Sequence, residues 1–67
     1  MAVARVTEIS STSTTSFEDA IKSGLARANE TLRNVKSAWI KEQQVRVEGA
    51  SISEYQVNLL VTFVLDD

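Results

Sequence analysis

The spacing of apolar positions changes period twice along the chain, which divides it into a strand, a helix and a hairpin. Residues 2–10, AVARVTEIS, set Val3, Val6, Thr7 and Ile9 among charged neighbours, a β-prone composition whose imperfect alternation predicts a strand. The next six residues, STSTTS, are all hydroxylic. Such side chains compete with the backbone for hydrogen bonds and favour loops and helix caps, so a loop is expected over 11–16. Ser16 is the natural N-cap, with Glu18 and Asp19 in the first turn, where the helix dipole favours negative charge. From Phe17 the apolar or small positions fall at Phe17, Ala20, Ile21, Gly24, Leu25, Ala28, Leu32 and Val35, the stripe of an amphipathic helix. Ala20, Gly24 and Ala28 stack one turn apart within it. A glycine in mid-helix costs roughly 0.5–1 kcal/mol relative to alanine, a cost that close approach to another backbone would justify. Lys22, Arg27, Glu30, Arg33 and Lys36 lie off the stripe and read as a solvated face.

The period then falls to two. Residues 37–47 and 52–66 both alternate, and Glu48, Gly49, Ala50 and Ser51 between them supply a turn, so the pair predicts a hairpin. If the turn closes on Val47 and Ile52, Ile40 pairs with Leu59, Ala38 with Val61, Trp39 with Leu60 and Gln43 with Gln56. That register gathers Ala38, Ile40, Tyr55, Val57, Leu59, Val61, Phe63 and Leu65 on one face, which suits the helix stripe. The opposite face mixes Trp39, Val45, Leu60 and Val64 with Ser37, Lys41, Gln43, Glu54, Gln56, Asn58 and Thr62. Large apolar groups interleaved with amides mark an interaction or ligand surface. The expected architecture is α+β, in the order β-α-β-β, with a three-stranded antiparallel or mixed sheet covered on one side by the helix. The last strand, about 15 residues against the usual 5–6, outruns its domain. Its excess edge is expected to pair with another subunit.

Composition narrows how such a fold is stabilised. A chain of 67 residues makes one domain, 1–67, that buries only about 60% of its unfolded surface. Small domains supplement their cores with disulfides, metals or oligomerisation. The chain has no Cys and no His, which removes disulfides, zinc and most transition-metal sites and leaves oligomerisation. A hard cation held by oxygen ligands stays open, and Asp66 and Asp67 are one candidate pair, a frayed acidic terminus being the simpler reading. Seven basic and nine acidic residues give a net charge of -2, without the basic footprint that nucleic acid requires. No apolar stretch approaches the roughly 20 residues of a membrane span, and the N-terminus lacks the order of a signal peptide, so a cytoplasmic location is expected. Enzymatic function is disfavoured: there is no His, Cys or Gly-rich phosphate loop, and no base adjoins the hydroxyl run.

The order β-α-β-β, a start reading RVTEISSTSTTSFEDAI, a helix reading GLARANETLRNV and an end reading EYQVNLLVTFVLDD resemble the dodecins along nearly the whole chain. The resemblance implies an antiparallel three-stranded sheet wrapped around one amphipathic helix, in a hollow homododecamer that binds flavin (riboflavin, FMN or FAD) near its threefold axes. It further implies storage or buffering of the flavin without chemistry, and in some members coenzyme A as a second ligand. Family members stack a Trp that follows the helix on the isoalloxazine, and hydrogen-bond its pyrimidine edge with a Gln that follows an aromatic residue in the last strand. Tyr55-Gln56 matches the second feature. At the first, Ser37 falls on the stacking position, and Trp39 follows two residues later on the same strand face. Trp39, Gln43 and Gln56 would supply an aromatic face and amides for the ring. Arg46 matches a basic residue that meets a ligand phosphate in some members. The alternatives are that Trp39 anchors a subunit interface, that Arg46 pairs with Glu48 or Glu54, and that the shell has lost flavin stacking and binds an ion, coenzyme A or no small ligand.

Overall fold

A computed structural model describes residues 2–65. Its elements run β1 (Ala4–Ser13), α1 (Phe17–Thr31), β2 (Val35–Glu48) and β3 (Ser51–Val64). The strands form one antiparallel sheet in the order β1-β3-β2. Asp66 and Asp67, the candidate cation pair, lie outside the described residues.

The helix packs where its stripe requires. Ala20 on α1 and Val57, Leu59 and Val61 on the central strand are fully buried, with Ile9, Phe17, Ile21, Leu25, Leu32, Val35 and Ala38 packed around them. Gly24 is buried against β1, and a Cβ placed on it would lie 3.0 Å from Ser11 Cβ. A close approach is therefore present, but what meets the glycine is the side chain of Ser11 and not a backbone atom.

Both ends of α1 are set by local chemistry. Ser16 caps the start, its side chain accepting from the Asp19 N–H at 3.0 Å. At the other end the Leu32 N–H donates to Ala28 O at 2.8 Å, and Asn34 adopts φ 61°, a left-handed conformation that Asn tolerates better than most residues. The helix thus stops at Thr31, although the apolar stripe runs on to Val35. Leu32 and Val35 continue the stripe because they pack on the same core from the connection and from β2.

The first strand is longer than its pattern suggested. Residues 11–13 of the hydroxyl run belong to β1, where Ser11 pairs with Val57, Thr12 with Gln56 and Ser13 with Tyr55. Ser13 is buried, but its hydroxyl donates to Asp19 Oδ2 at 2.7 Å and accepts from the Thr15 N–H at 2.9 Å. Such satisfied hydroxyls let a polar run face a helix.

The hairpin closes on Gly49 and Ala50, with Glu48 opposite Ser51 and Val47 opposite Ile52. Gly49 takes φ 64°, which a glycine adopts without strain. Near the helix the register agrees with expectation: Ile40 faces Leu59, Ala38 faces Val61 and Trp39 faces Leu60. Beyond Ile40 it does not. Lys41 is an extra residue in β2, so Glu42 faces Asn58, Gln43 faces Val57 and Gln44 faces Gln56. This β-bulge sets two residues of one strand against one of its partner. The expected pairing of Gln43 with Gln56 is thereby replaced by Gln44 with Gln56, and Val45 moves opposite Tyr55. Of the two other irregularities in the ladder, one lies between Val35 and Ser37 at the start of β2, and one between Arg46 and Val47 restores the register at the turn.

The hairpin extends past the helix, giving the chain extents of 51 × 19 × 13 Å. The two strands pair with each other to the turn, so on that side the excess length of β3 finds its partner within the chain. On the other side β1 ends opposite Tyr55, and residues 51–54 of β3 keep an open edge. Phe17 meets the arm at its root, in an edge-to-face contact with Tyr55 at 5.1 Å. Val47 and Ile52, near the tip, remain 64% and 50% exposed.

Candidate functional site

The sheet face turned away from the helix carries the candidate chemistry, and the register places it row by row. Ser37 lies opposite Thr62, and Trp39 opposite Leu60, with Glu8 of β1 on the far side of Leu60. Next come Ser10, Asn58 and Glu42, then Thr12, Gln56 and Gln44, then Glu54 and Arg46. Ser37 and Trp39 share this face. Trp39 is 74% exposed, a large indole surface with only Leu60 and its strand neighbours beside it.

The bulge decides what the lower rows contain. Both Lys41 and Glu42 reach the open face: Lys41 Nζ bridges across to Glu8 Oε1 at 3.1 Å, and Glu42 Oε1 accepts from Asn58 Nδ2 at 2.9 Å. Gln44 and Arg46 follow on that face, whereas Gln43, opposite buried Val57, goes to the helix side. Gln43 thus leaves the face that Trp39 and Gln56 share, although it still borders the cavity beside Gln56.

Gln56 is held on all sides. Its Oε1 accepts from Arg46 Nη2 at 3.1 Å, and its Nε2 donates to Ser10 Oγ at 3.1 Å and Asn58 Oδ1 at 3.4 Å. Arg46 Nε also pairs with Glu54 Oε1 at 3.0 Å, one of the pairings expected for it. Both groups of that pair are partly exposed, so its own contribution to stability is small. Around the amides lies a cavity of ≈ 120 Å³ lined by Glu42, Gln43, Gln44, Gln56 and Asn58. Sites for drug-sized ligands usually measure about 300–1,000 Å³, so one chain supplies a wall of such a site and not an enclosure. Trp39 and Gln56 are separated by four residues of strand, about 13 Å at 3.3 Å per residue.

These residues suit a planar heteroaromatic ring. An exposed indole offers a stacking face, and the amide row offers donors and acceptors for a polar edge. Among the described residues no group of His, Cys, Asp and Glu is arranged to hold a metal ion. Nor, among those residues, is any helix long and apolar enough to cross a membrane. Glu42, Gln44, Asn58 and Ser10 were not singled out as site residues by the sequence pattern. The first two depend on the bulge, which periodicity does not reveal. Asn58 and Ser10 could have been found by reading the face as cross-strand rows once the β1 pairing was known.

A helix-covered three-stranded sheet whose free face carries an exposed indole and an ordered amide row defines a class of small β-α-β-β proteins. Within that class the chain belongs to the dodecin family, whose model, described as Dodecin, matches residues 3–66. It is 40% identical over 60 residues to the dodecin of Thermus thermophilus, covering 90% of this chain and 87% of that one. A protein of Mycobacterium tuberculosis named calcium dodecin is 33% identical over 63 residues, covering 94% and 89%. Among solved structures, dodecin from Streptomyces davaonensis superposes with a TM-score of 0.93 at 33% identity, covering 98% of this chain and 97% of that one. An arginine-to-alanine mutant of the T. thermophilus dodecin gives 0.94 at 37% identity, with both chains fully covered. The α+β fold is therefore that of the dodecins.

Proposed function

We propose that the chain is a non-enzymatic, flavin-holding subunit of a closed homododecamer that sequesters riboflavin, FMN or FAD. The observation that carries this reading is Trp39, 74% exposed on the same sheet face as the amides of Gln56 and Gln44. Stacking on Trp39 and hydrogen bonding by Gln56 divide the work between the ring's face and its edge. Assembly supplies what one chain lacks: a cavity of ≈ 120 Å³ becomes a site when another subunit's face closes over it. The open β3 edge and the bare apolar tip of the arm give further surface for neighbours to cover. Fluorescence titration of riboflavin tests the proposal, with quenching expected near one flavin per chain.

A second reading is favoured by one observation, the 33% identity to a relative named calcium dodecin. In it the shell forms, Ser37 and Thr62 mark a face without stacking, Trp39 anchors a subunit contact, and an ion, coenzyme A or no small ligand is held. Riboflavin then stays fluorescent, and calcium raises the melting temperature of the particle.

A further inference from the structure

The polar row on the open face has a direction. Arg46 donates to the carbonyl oxygen of Gln56, Gln56 donates to that of Asn58, and Asn58 donates to the carboxylate of Glu42. Every link points from the cation towards the anion. The two ends dictate this sense, because a guanidinium offers only donors and an ionised carboxylate only acceptors. Turning the Gln56 amide over would set its NH2 against the Arg46 N–H and its oxygen against Asn58 Oδ1, one contact between donors and one between acceptors. Charged partners make the stronger hydrogen bonds in such a chain.

We infer that Arg46 is a positioning residue which, with Glu42 at the opposite end, fixes the orientation of the Gln56 amide so that this site selects ligands presenting an N–H donor. Both hydrogens of Gln56 Nε2 are engaged, by Ser10 and Asn58, so the capacity left on Gln56 is the second lone pair of Oε1. Asn58 Oδ1 and the Glu42 carboxylate add acceptors to the same cavity wall. The imide N–H of a flavin's pyrimidine ring meets that requirement, and an edge made of acceptors alone does not. The inference deepens the flavin reading and rests on it for the identity of the ligand. The clamp itself is a property of the free protein.

Two measurements separate the clamp from the ligand. Side-chain amide resonances of deuterated, ¹⁵N-labelled protein report the clamp without any flavin, the Gln56 pair being assigned by its loss in Gln56→Glu. In the wild type its two protons should lie away from the positions of a solvated glutamine amide and exchange slowly, and in Arg46→Leu they should move to those solvated positions. A wild-type Gln56 pair already at the positions of a solvated amide overturns the proposal whether or not flavin binds. The second measurement titrates riboflavin and FMN into wild type, Arg46→Lys, Arg46→Leu, Gln56→Leu and the Arg46→Leu/Gln56→Leu double variant. Arg46→Leu should weaken both flavins alike, by about tenfold, and add nothing once Gln56 is gone. Arg46→Lys, which keeps the charge and loses the fork, should fall between. Loss confined to FMN makes Arg46 a direct phosphate contact, and losses that add make it independent of Gln56; either overturns the assignment. If the wild type quenches neither flavin while the Gln56 pair stays shifted and slow to exchange, the flavin reading falls and the clamp stands.

Discussion

Gly24 and Ser11 show how one position joins sequence to packing. The helix lies on β1 so closely that a Cβ at 24 would meet Ser11 Cβ at 3.0 Å, tighter than side chains ordinarily pack. Gly24→Leu should therefore destabilise the fold by about 1–3 kcal/mol, as overpacking does. Denaturant unfolding measures it, and unchanged stability would show that the helix can slide away from β1. Ser16→Ala should cost about 1 kcal/mol in the same assay, because the Asp19 N–H loses its acceptor. At Trp39 the outcome separates two roles. Trp39→Ala should abolish riboflavin quenching while the particle keeps its mass in analytical ultracentrifugation, whereas dissociation would mark the indole as an interface anchor.

At the scale of elements, what could be read from the sequence depended on whether a periodicity was local or relational. The α1 stripe and the Ser16 cap are local, and both were legible. So was the hairpin turn, because Glu48, Gly49, Ala50 and Ser51 interrupt two alternating runs. The helix end was not, since Leu32 and Val35 serve the same core from outside the helix and prolong the apolar pattern past Asn34. The hydroxyl run looked like a loop because its strand character rests on β3 pairing and on Ser13 finding Asp19 and Thr15. The bulge at Lys41 was invisible for the same kind of reason: lysine within KEQQ carries no mark of irregularity, and the extra residue is defined only by the partner strand. It matters for the site, because it exchanges Gln43 for Gln44 beside Gln56. Deleting Lys41 should restore unbroken alternation while leaving Glu42, Gln44 and Arg46 opposite Asn58, Gln56 and Glu54, so the Arg46 to Gln56 hydrogen bond is kept and the Lys41 to Glu8 bridge is lost. Riboflavin quenching should then be retained, and its loss would show that the bulge itself, and not only the pairing it leaves in place, shapes the site.

For the whole molecule, size and shape point the same way. A 67-residue chain without cysteine or histidine buries only Ala20, Ala28, Val57, Leu59 and Val61 as hydrophobic core among its described residues, and it extends an arm whose tip is bare. Such a core gives limited stability to a single chain. The dodecin family match over 3–66 places the fold securely, and the proposed dodecamer would bury the arm and complete the shallow amide cavity. Stability should accordingly depend on protein concentration, the melting temperature rising as the chain is concentrated, because association and folding are linked.

The central claim, that the open face holds a flavin through Trp39 and Gln56, is tested most directly by titrating riboflavin with the assembled protein and following flavin fluorescence. The account predicts quenching that saturates near one riboflavin per chain and disappears in both Trp39→Ala and Gln56→Leu with the particle intact. Riboflavin that stays fully fluorescent in the presence of micromolar intact particle would contradict it.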